Sequence, residues 1–197
     1  MVRDFTPGTF NVSLQDRDLL QRLNLYFDAL GTHLQSGEGW LIFNARPGRD
    51  SRITRYIQQR VQEASATSTF LVPWRDFSLT AYMVEVELQS ASVKVASMEP
   101  ARKREVEIAN KVSQQTMIRM VTDDLLIVPG VSVRHSHEVR YLAATIQARY
   151  NGRLSTIILT PDAPQDFETA VTRHAERGHE AWNELSQRLF ATSFLAL

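Results

Sequence analysis

The amino-acid sequence predicts an α/β fold, a three-layer sandwich in which helices cover both faces of a central parallel sheet of about five strands. Short apolar runs alternate with segments of helical periodicity, which is typical of parallel strands joined by crossover helices. The runs Trp40–Phe43, Leu125–Val128 and Thr156–Leu159 also lack the polar alternation of half-exposed strands, so we expect both of their faces to be buried. We therefore place Trp40–Phe43 at the centre of the sheet, flanked by the other two strands.

For residues 1–38 the sequence predicts an irregular lead-in followed by one helix. Apolar residues recur at helical spacing from Ser13 to about Gln35, where a Ser-Gly-Glu-Gly stretch ends the helix. Residues 39–197 form the α/β core, and no linker separates the two parts. The whole chain, residues 1–197, is therefore expected to be a single domain.

The core elements can be assigned from apolar patterns and from the Pro and Gly residues that end them. A buried strand is halted by Pro129-Gly130, and an amphipathic helix ends at Asn151-Gly152. In order we predict a strand at 40–44, a helix from about 51, a strand at 69–72, helices near 76–90 and 101–120, a strand at 124–128, a helix at 139–150, a strand at 156–160, a helix from 164 interrupted near Gly178, and a terminal strand at 192–197.

Composition excludes several classes of protein. The 22 basic and 22 acidic residues cancel, so a strongly basic nucleic-acid binder is not indicated. The absence of cysteine excludes disulfides and thiolate metal sites. No apolar run approaches the roughly 20 residues of a membrane helix, and the N-terminus lacks the apolar core of a signal peptide. We expect a cytoplasmic protein that does not enter the membrane.

The stretch Gly39–Ile53, GWLIFNARPGRDSRI, has the outline of a phosphate-binding loop, because an apolar strand runs through a Pro-Gly turn into a helix. A working loop reads G-x-x-x-x-G-K-[ST], in which backbone N–H groups and the lysine hold phosphates and the hydroxyl holds Mg²⁺. Asp50 stands at the second glycine, Ser51 at the lysine and Arg52 at the hydroxyl. An ordinary strand-turn-helix junction is the alternative interpretation. The eight positions are occupied by Ala45, Arg46, Pro47, Gly48, Arg49, Asp50, Ser51 and Arg52.

Three later segments, DDLLIVPGV, ARYNGRLSTIILTPD and LSQRLF, follow LIFNARPGRDSRI along the chain. In this order they resemble the AAA+ core of bacterial helicase loaders and insertion-sequence ATP-binding proteins, the DnaC/IstB-like group. The resemblance runs from about Phe5 to Leu197, and ARYNGRLSTIILTPD is its most specific part. It implies a P-loop NTPase-like AAA+ core without a separate lid domain.

The resemblance also shows which catalytic residues are missing. The family places acids after the second apolar strand to hold Mg²⁺ and activate water, whereas this chain has Pro129 and Gly130. Asp162 resembles the sensor residue of the family, and Arg188 resembles the arginine finger that reaches a neighbour's nucleotide. These departures imply an inactive ATPase homologue that is not an enzyme and needs no cofactor.

Three functional hypotheses follow from the resemblance. The first is a non-hydrolysing adaptor, a pseudo-ATPase that docks a helicase, a transposase or an active AAA+ ATPase in DNA replication, helicase loading or transposition. The second is a subunit of a mixed ATPase ring that donates Arg188 to an active neighbour. The third is an enzyme of unrelated chemistry on the same sheet. Nucleic-acid binding and oligomerisation stay open.

An arginine cluster after the loop is the candidate binding surface, formed by Arg46, Arg49, Arg52 and Arg55. Arginines at the start of a helix can engage backbone phosphates or an acidic patch on a partner, and a solvated helix face is the alternative. His135 and His137 are two residues apart rather than four, so we do not expect a metal site.

Asp50 also suggests what replaces the nucleotide. Its carboxylate lies close to an expected N-cap position, where it could accept the N–H groups near Arg52 or Ile53. Arg46 or Arg49 could then pair with the same carboxylate. This self-capping hypothesis would explain why a phosphate-repelling residue is tolerated in the loop.

Overall fold

The computed structural model describes residues 14–64, 67–83 and 100–197 of the chain. The predicted lead-in before Ser13 and the second half of the helix expected at 76–90 lie outside these ranges. In chain order the elements are α1 (Leu14–Asp28), α2 (Leu30–Ser36), β1 (Gly39–Ile42), α3 (Pro47–Glu63), β2 (Thr69–Leu71), α4 (Trp74–Tyr82), α5 (Pro100–Thr122), β3 (Leu125–Val128), α6 (Ser136–Gly152), β4 (Ser155–Leu159), α7 (Pro164–His174), α8 (His179–Thr192) and β5 (Ser193–Ala196).

The five strands form one parallel sheet in the order β2-β3-β4-β1-β5. The expected α/β architecture is therefore confirmed, and β1, β3 and β4 are all interior strands. The prediction that β3 flanks β1 is wrong, because β4 lies between them and the C-terminal strand β5 takes the other side of β1. Because the three strands are equally apolar, their composition does not indicate which of them are neighbours in the sheet.

Alternate residues of each strand contribute to two separate cores, as the two-residue period of a strand requires. Trp40 and Ile42 pack on one face with residues of α1, α2 and α3. Leu41 and Phe43 pack on the other face with residues of α4 to α8. The sheet is thus the middle layer of a three-layer sandwich, and each fully buried branched side chain contributes roughly 1.5–3 kcal/mol.

The described residues contain two breaks between consecutive helices, and the sequence predicted only the second of them. The helix expected to run unbroken to Gln35 is divided at Ala29, a good helix former that gives no sign of the break. The interruption near Gly178 is confirmed, because Gly178 adopts φ 52° and ψ −123° between α7 and α8. Only glycine adopts this conformation at low cost. No bilayer-spanning helix is found in the three described ranges.

Candidate functional site

The connection from β1 to α3 is shorter than a phosphate loop and is fully hydrogen-bonded along its backbone. The N–H of Phe43 donates to the carbonyl of Ala196 (2.8 Å), and the N–H of Asn44 donates to the carbonyl of Asp162 (3.0 Å). The N–H of Ala45 donates to the carbonyl of Thr160 (2.8 Å). The N–H of Arg46 donates to the carbonyl of Asn44 (2.9 Å). Every backbone N–H in the connection already has a protein acceptor.

Helix α3 begins at Pro47, so the Pro-Gly turn expected from the sequence is the first turn of a helix. Proline is favoured at this position because it has no N–H to leave unpaired. Arg46 is the N-cap residue, and no side chain caps the helix. The N–H of Asp50 donates to the carbonyl of Arg46 (2.8 Å), which is an ordinary helical hydrogen bond.

The self-capping hypothesis is therefore wrong. Asp50 lies one turn inside α3, where its carboxylate cannot reach the N–H groups that follow it along the helix axis. Its Oδ1 atom is buried and has no hydrogen-bond partner. Burial raises the pKa of the Asp50 carboxyl, and the backbone N–H of Gly130 opposes that shift. Asp50 is thus a half-buried acid without a cationic partner in the described part of the chain.

The side chains at the lysine and hydroxyl positions are both engaged within the protein. The hydroxyl of Ser51 donates to the carbonyl of Pro47 (2.8 Å), one turn back along α3. The Nη2 atom of Arg52 donates to Oδ2 of Asp16 on α1 (2.9 Å). The Ser51 hydroxyl is thus directed back along its own helix, and the Arg52 side chain is directed toward α1.

Arg49 is directed inward, which corrects its assignment to the binding surface. Its Nε donates to Oδ1 of Asp16 (2.8 Å), and its Nη1 and Nη2 donate to the carbonyls of Phe43 (3.0 Å) and Leu197 (3.2 Å). Its side chain is only 14% exposed. Arg46, Arg52 and Arg55 are exposed, as the sequence suggested.

Asp16 was not recognised from the sequence as part of this region, although an acid in the first turn of a helix is a detectable signal. Burial by itself raises the pKa of Asp16, but the hydrogen bonds and charges of Arg49 and Arg52 outweigh burial and hold the pKa below its ordinary value. Asp16 therefore pairs with two of the four arginines that the sequence analysis assigned to the binding surface.

Pro129 and Gly130 lie at the carboxyl end of β3, where the resemblance predicts acids. Pro129 is buried, and its carbonyl accepts the N–H of Trp74 (2.9 Å). Gly130 adopts φ 74°, and it lines the same cavity of about 560 Å³ as Asp50. The two altered motifs therefore meet at the carboxyl edge of the sheet, the usual position of ligand sites in open α/β folds.

Glu138 also borders this cavity, but its carboxylate has a structural role. It accepts the backbone N–H groups of Arg134 (2.6 Å) and His135 (2.9 Å) and the hydroxyl of Ser78, and it thereby caps α6. The ring of His135 stacks on that of His137 with centroids 5.4 Å apart. Among the residues with assigned positions, no group of three or more His, Cys, Asp or Glu could hold a metal ion.

Asp162 and Arg188 occupy different parts of the fold. Asp162 follows β4 near the loop, and its pKa is raised by burial and by Asp166, while Arg134 lowers it. Arg188 lies on α8, where its Nη1 donates to the carbonyl of Glu184 (2.7 Å). Its side chain is 26% exposed and follows its own helix.

Comparison with known proteins finds a fold match and no sequence match. No family model matches the chain, and no curated protein matches it. A crystal structure of the DnaC helicase loader is similar in fold, with a TM-score of 0.62 and 10% sequence identity, over 96% of this chain and 93% of that chain. At this identity the likeness concerns architecture alone. The chain therefore shares the fold of this helicase loader, a five-stranded parallel sheet flanked by helices.

Proposed function

We propose that this chain is a non-hydrolysing AAA+-like adaptor that docks a protein partner, a helicase in the first instance, in DNA replication, helicase loading or transposition. It uses the AAA+-like fold as a scaffold for binding rather than as a nucleotide-driven motor. The similar fold of the DnaC helicase loader supports the choice of a replication partner.

The observation that carries the proposal is the hydrogen bonding between β1 and α3. A phosphate loop binds its anion through backbone N–H groups that converge on the ligand. Here the N–H groups from Phe43 to Arg46 all donate to protein carbonyls, Pro47 has none, and that of Asp50 belongs to α3. A triphosphate could therefore reach the N–H groups from Phe43 to Arg46 only by displacing these bonds.

Electrostatics oppose nucleotide binding as well. The acid at position 50 lies where phosphate charge would be, and a carboxylate beside a phosphate is repulsive. Ser51 supplies no cation, and Pro129 and Gly130 supply no ligand for Mg²⁺. The alternative in which Arg188 acts on a neighbour's nucleotide has less support, because this side chain is bonded to its own helix.

Calorimetric titration with ATP and Mg²⁺ tests the absence of a nucleotide site. We expect no heat of binding at micromolar concentrations and no phosphate release. Ser51→Lys should not restore binding, because Asp50 and the hydrogen-bonded connection stay in place. Micromolar ATP binding by the unaltered chain would overturn the proposal.

Association with a partner tests the adaptor role separately. The chain is mixed with the replicative helicase of its own host, and the molar mass of the mixture is measured by light scattering after size exclusion. We expect a complex whose formation does not require ATP. Two separate peaks at concentrations of about 10 μM would count against a helicase adaptor, since specific complexes form in this range or below it.

A further inference from the structure

A second concave surface begins at Arg52, the last of the eight loop positions, and lies in the cleft between α1 and α3. Its volume is about 310 Å³, at the lower end of the range for ligand pockets. Leu20 of α1 and Ile53 and Tyr56 of α3 form its mainly apolar wall. The Tyr56 hydroxyl donates to Asn24 (3.1 Å), so the ring is held in place with its polar end satisfied.

The charge at the rim of this cleft is positive. Arg52 and Arg55 line the opening, and the Arg52 side chain is 56% exposed. The acid within the cleft is Asp16, and both of its carboxylate oxygens already accept hydrogen bonds from arginines. Arg55 is exposed and forms no ion pair with an acid of the described ranges. The cleft therefore combines an apolar interior with a cationic edge.

We infer that the α1–α3 cleft is the docking site for an acidic segment of the partner protein, with one apolar side chain inserted as an anchor. Binding interfaces commonly place an apolar anchor in a pocket and surround it with polar contacts. Carboxylates beside the anchor would meet Arg52 and Arg55. This inference rests on the proposed adaptor function and names the surface that performs it.

The apolar interior favours a peptide over nucleic acid. A phosphate backbone gains from arginines but has no use for an apolar pocket beside them. The zero formal charge of the chain also gives no general attraction for nucleic acid. An acidic amphipathic peptide satisfies both features of the cleft at once.

The probe is a short, fluorescein-labelled synthetic peptide with glutamates on one helical face and leucine and phenylalanine on the other. Binding to the full chain is measured by fluorescence anisotropy. We expect saturable binding that weakens as salt is added. Arg55→Glu should weaken binding by about tenfold or more, because an attraction becomes a repulsion. Gln59→Trp should abolish binding, because the indole fills the cleft from an exposed position.

Arg173→Glu is the matched control, with the same charge change at an exposed position of α7, a helix that packs on the other face of the sheet. It should leave the peptide affinity within about twofold. The inference would be overturned if the unaltered chain did not bind the peptide. It would also be overturned if Arg55→Glu and Gln59→Trp bound the peptide as tightly as the unaltered chain does. Binding of a single-stranded oligonucleotide in place of the peptide would assign the cleft to nucleic acid and overturn the inference. A dimer of the chain that dissociates on Gln59→Trp would assign the cleft to a second copy and would also overturn it.

The two proposals fail in different ways. If ATP binds, the adaptor function fails whatever the cleft variants do. If ATP does not bind and the helicase complex forms, but Arg55→Glu and Gln59→Trp leave that complex intact, only the assignment of the docking surface is wrong.

Discussion

Arg49 donates its Nε–H to Oδ1 of Asp16 at 2.8 Å and so joins the first turn of α3 to the first turn of α1. Both side chains are largely buried, at 14% and 9% exposure. The same guanidinium also donates hydrogen bonds to the backbone oxygens of Phe43, which follows β1, and of Leu197. Arg49 therefore links α1, the end of β1 and residue 197 through a single guanidinium.

Asp16→Asn should lower the free energy of unfolding by about 2–4 kcal/mol at neutral pH. The substitution leaves Arg49 largely buried and without its counter-charge, which is the costly way to break a buried pair. Urea unfolding followed by circular dichroism measures the change. Asp18→Asn is the matched control on the same helix, because its side chain is 73% exposed and should change stability by less than about 0.5 kcal/mol.

The stability difference between the parent and Asp16→Asn should change with pH in a definite direction. The pKa of Asp16 is lowered in the folded protein, so its stabilising effect is present above the ordinary aspartate pKa of about 3.9. The effect is lost as pH falls through the lower, folded-state pKa. We expect the stability difference between the parent and Asp16→Asn to shrink on acidification below about pH 4. A difference that grows on acidification would contradict this assignment.

Asp50→Asn should have the opposite effect and raise stability at neutral pH by about 1 kcal/mol. The amide keeps the shape of the side chain and removes the negative charge of the carboxylate. The Oδ1 atom of that carboxylate is buried and has no hydrogen-bond partner. Because burial raises the pKa of Asp50, ionisation destabilises the folded state as pH rises through the ordinary and then the folded-state pKa. The gain should therefore vanish below about pH 4. A loss of stability at neutral pH would show that the hydrogen bond from the Gly130 N–H outweighs the cost of burying the charge.

Gly39→Ala should destabilise the protein by at least about 3 kcal/mol or prevent folding. A Cβ at this position would lie 1.9 Å from the carbonyl oxygen of Thr156, on the neighbouring strand β4. Thermal unfolding measures the effect. Gly48→Ala is the matched control, because a Cβ there meets nothing within 4 Å and the residue lies in the first turn of α3. It should be neutral or stabilising by up to about 1 kcal/mol.

Arg149→Met should cost at least about 3 kcal/mol, because it removes a buried guanidinium that organises several carbonyls. Arg149 donates to Thr156 Oγ1 and to the carbonyls of Met120, Asp123, Asp124 and Ser155. Arg149→Lys should rescue little, because an ammonium has three donors and lacks the planar fork. Denaturant unfolding is the measurement.

Burial lowers the pKa of Arg149 to about 10, with the charges of Asp123 and Asp124 opposing the shift. The guanidinium therefore stays charged at neutral pH, and the cost of Arg149→Met should be constant between about pH 6 and 8. Arg173→Met, at an exposed position of α7, is the control and should change stability by less than about 0.5 kcal/mol. An equal effect of the two substitutions would contradict the stabilising role of Arg149.

The sequence predicted most elements because their signals are local. Apolar runs located β1, β3 and β4, and Gly178 located the break between α7 and α8. The conformation of the connection from β1 to α3 was not predicted. The sequence suggested a turn before the helix, whereas Pro47 is already the first helical residue. Proline suits both a turn and a helix start, so local preference could not separate them.

By itself the sequence determined the class of fold and the absence of the phosphate-loop lysine and glycines, since both depend on residue type and spacing. Only the tertiary structure decided that β4 separates β1 from β3, that Asp16 pairs with Arg49, and that Asp50 lies half-buried near Gly130. Burial and hydrophobic period are properties of a short segment. Strand order and charge pairing join residues that are far apart in sequence, and they are selected by the packing of the whole sheet and its two helical layers.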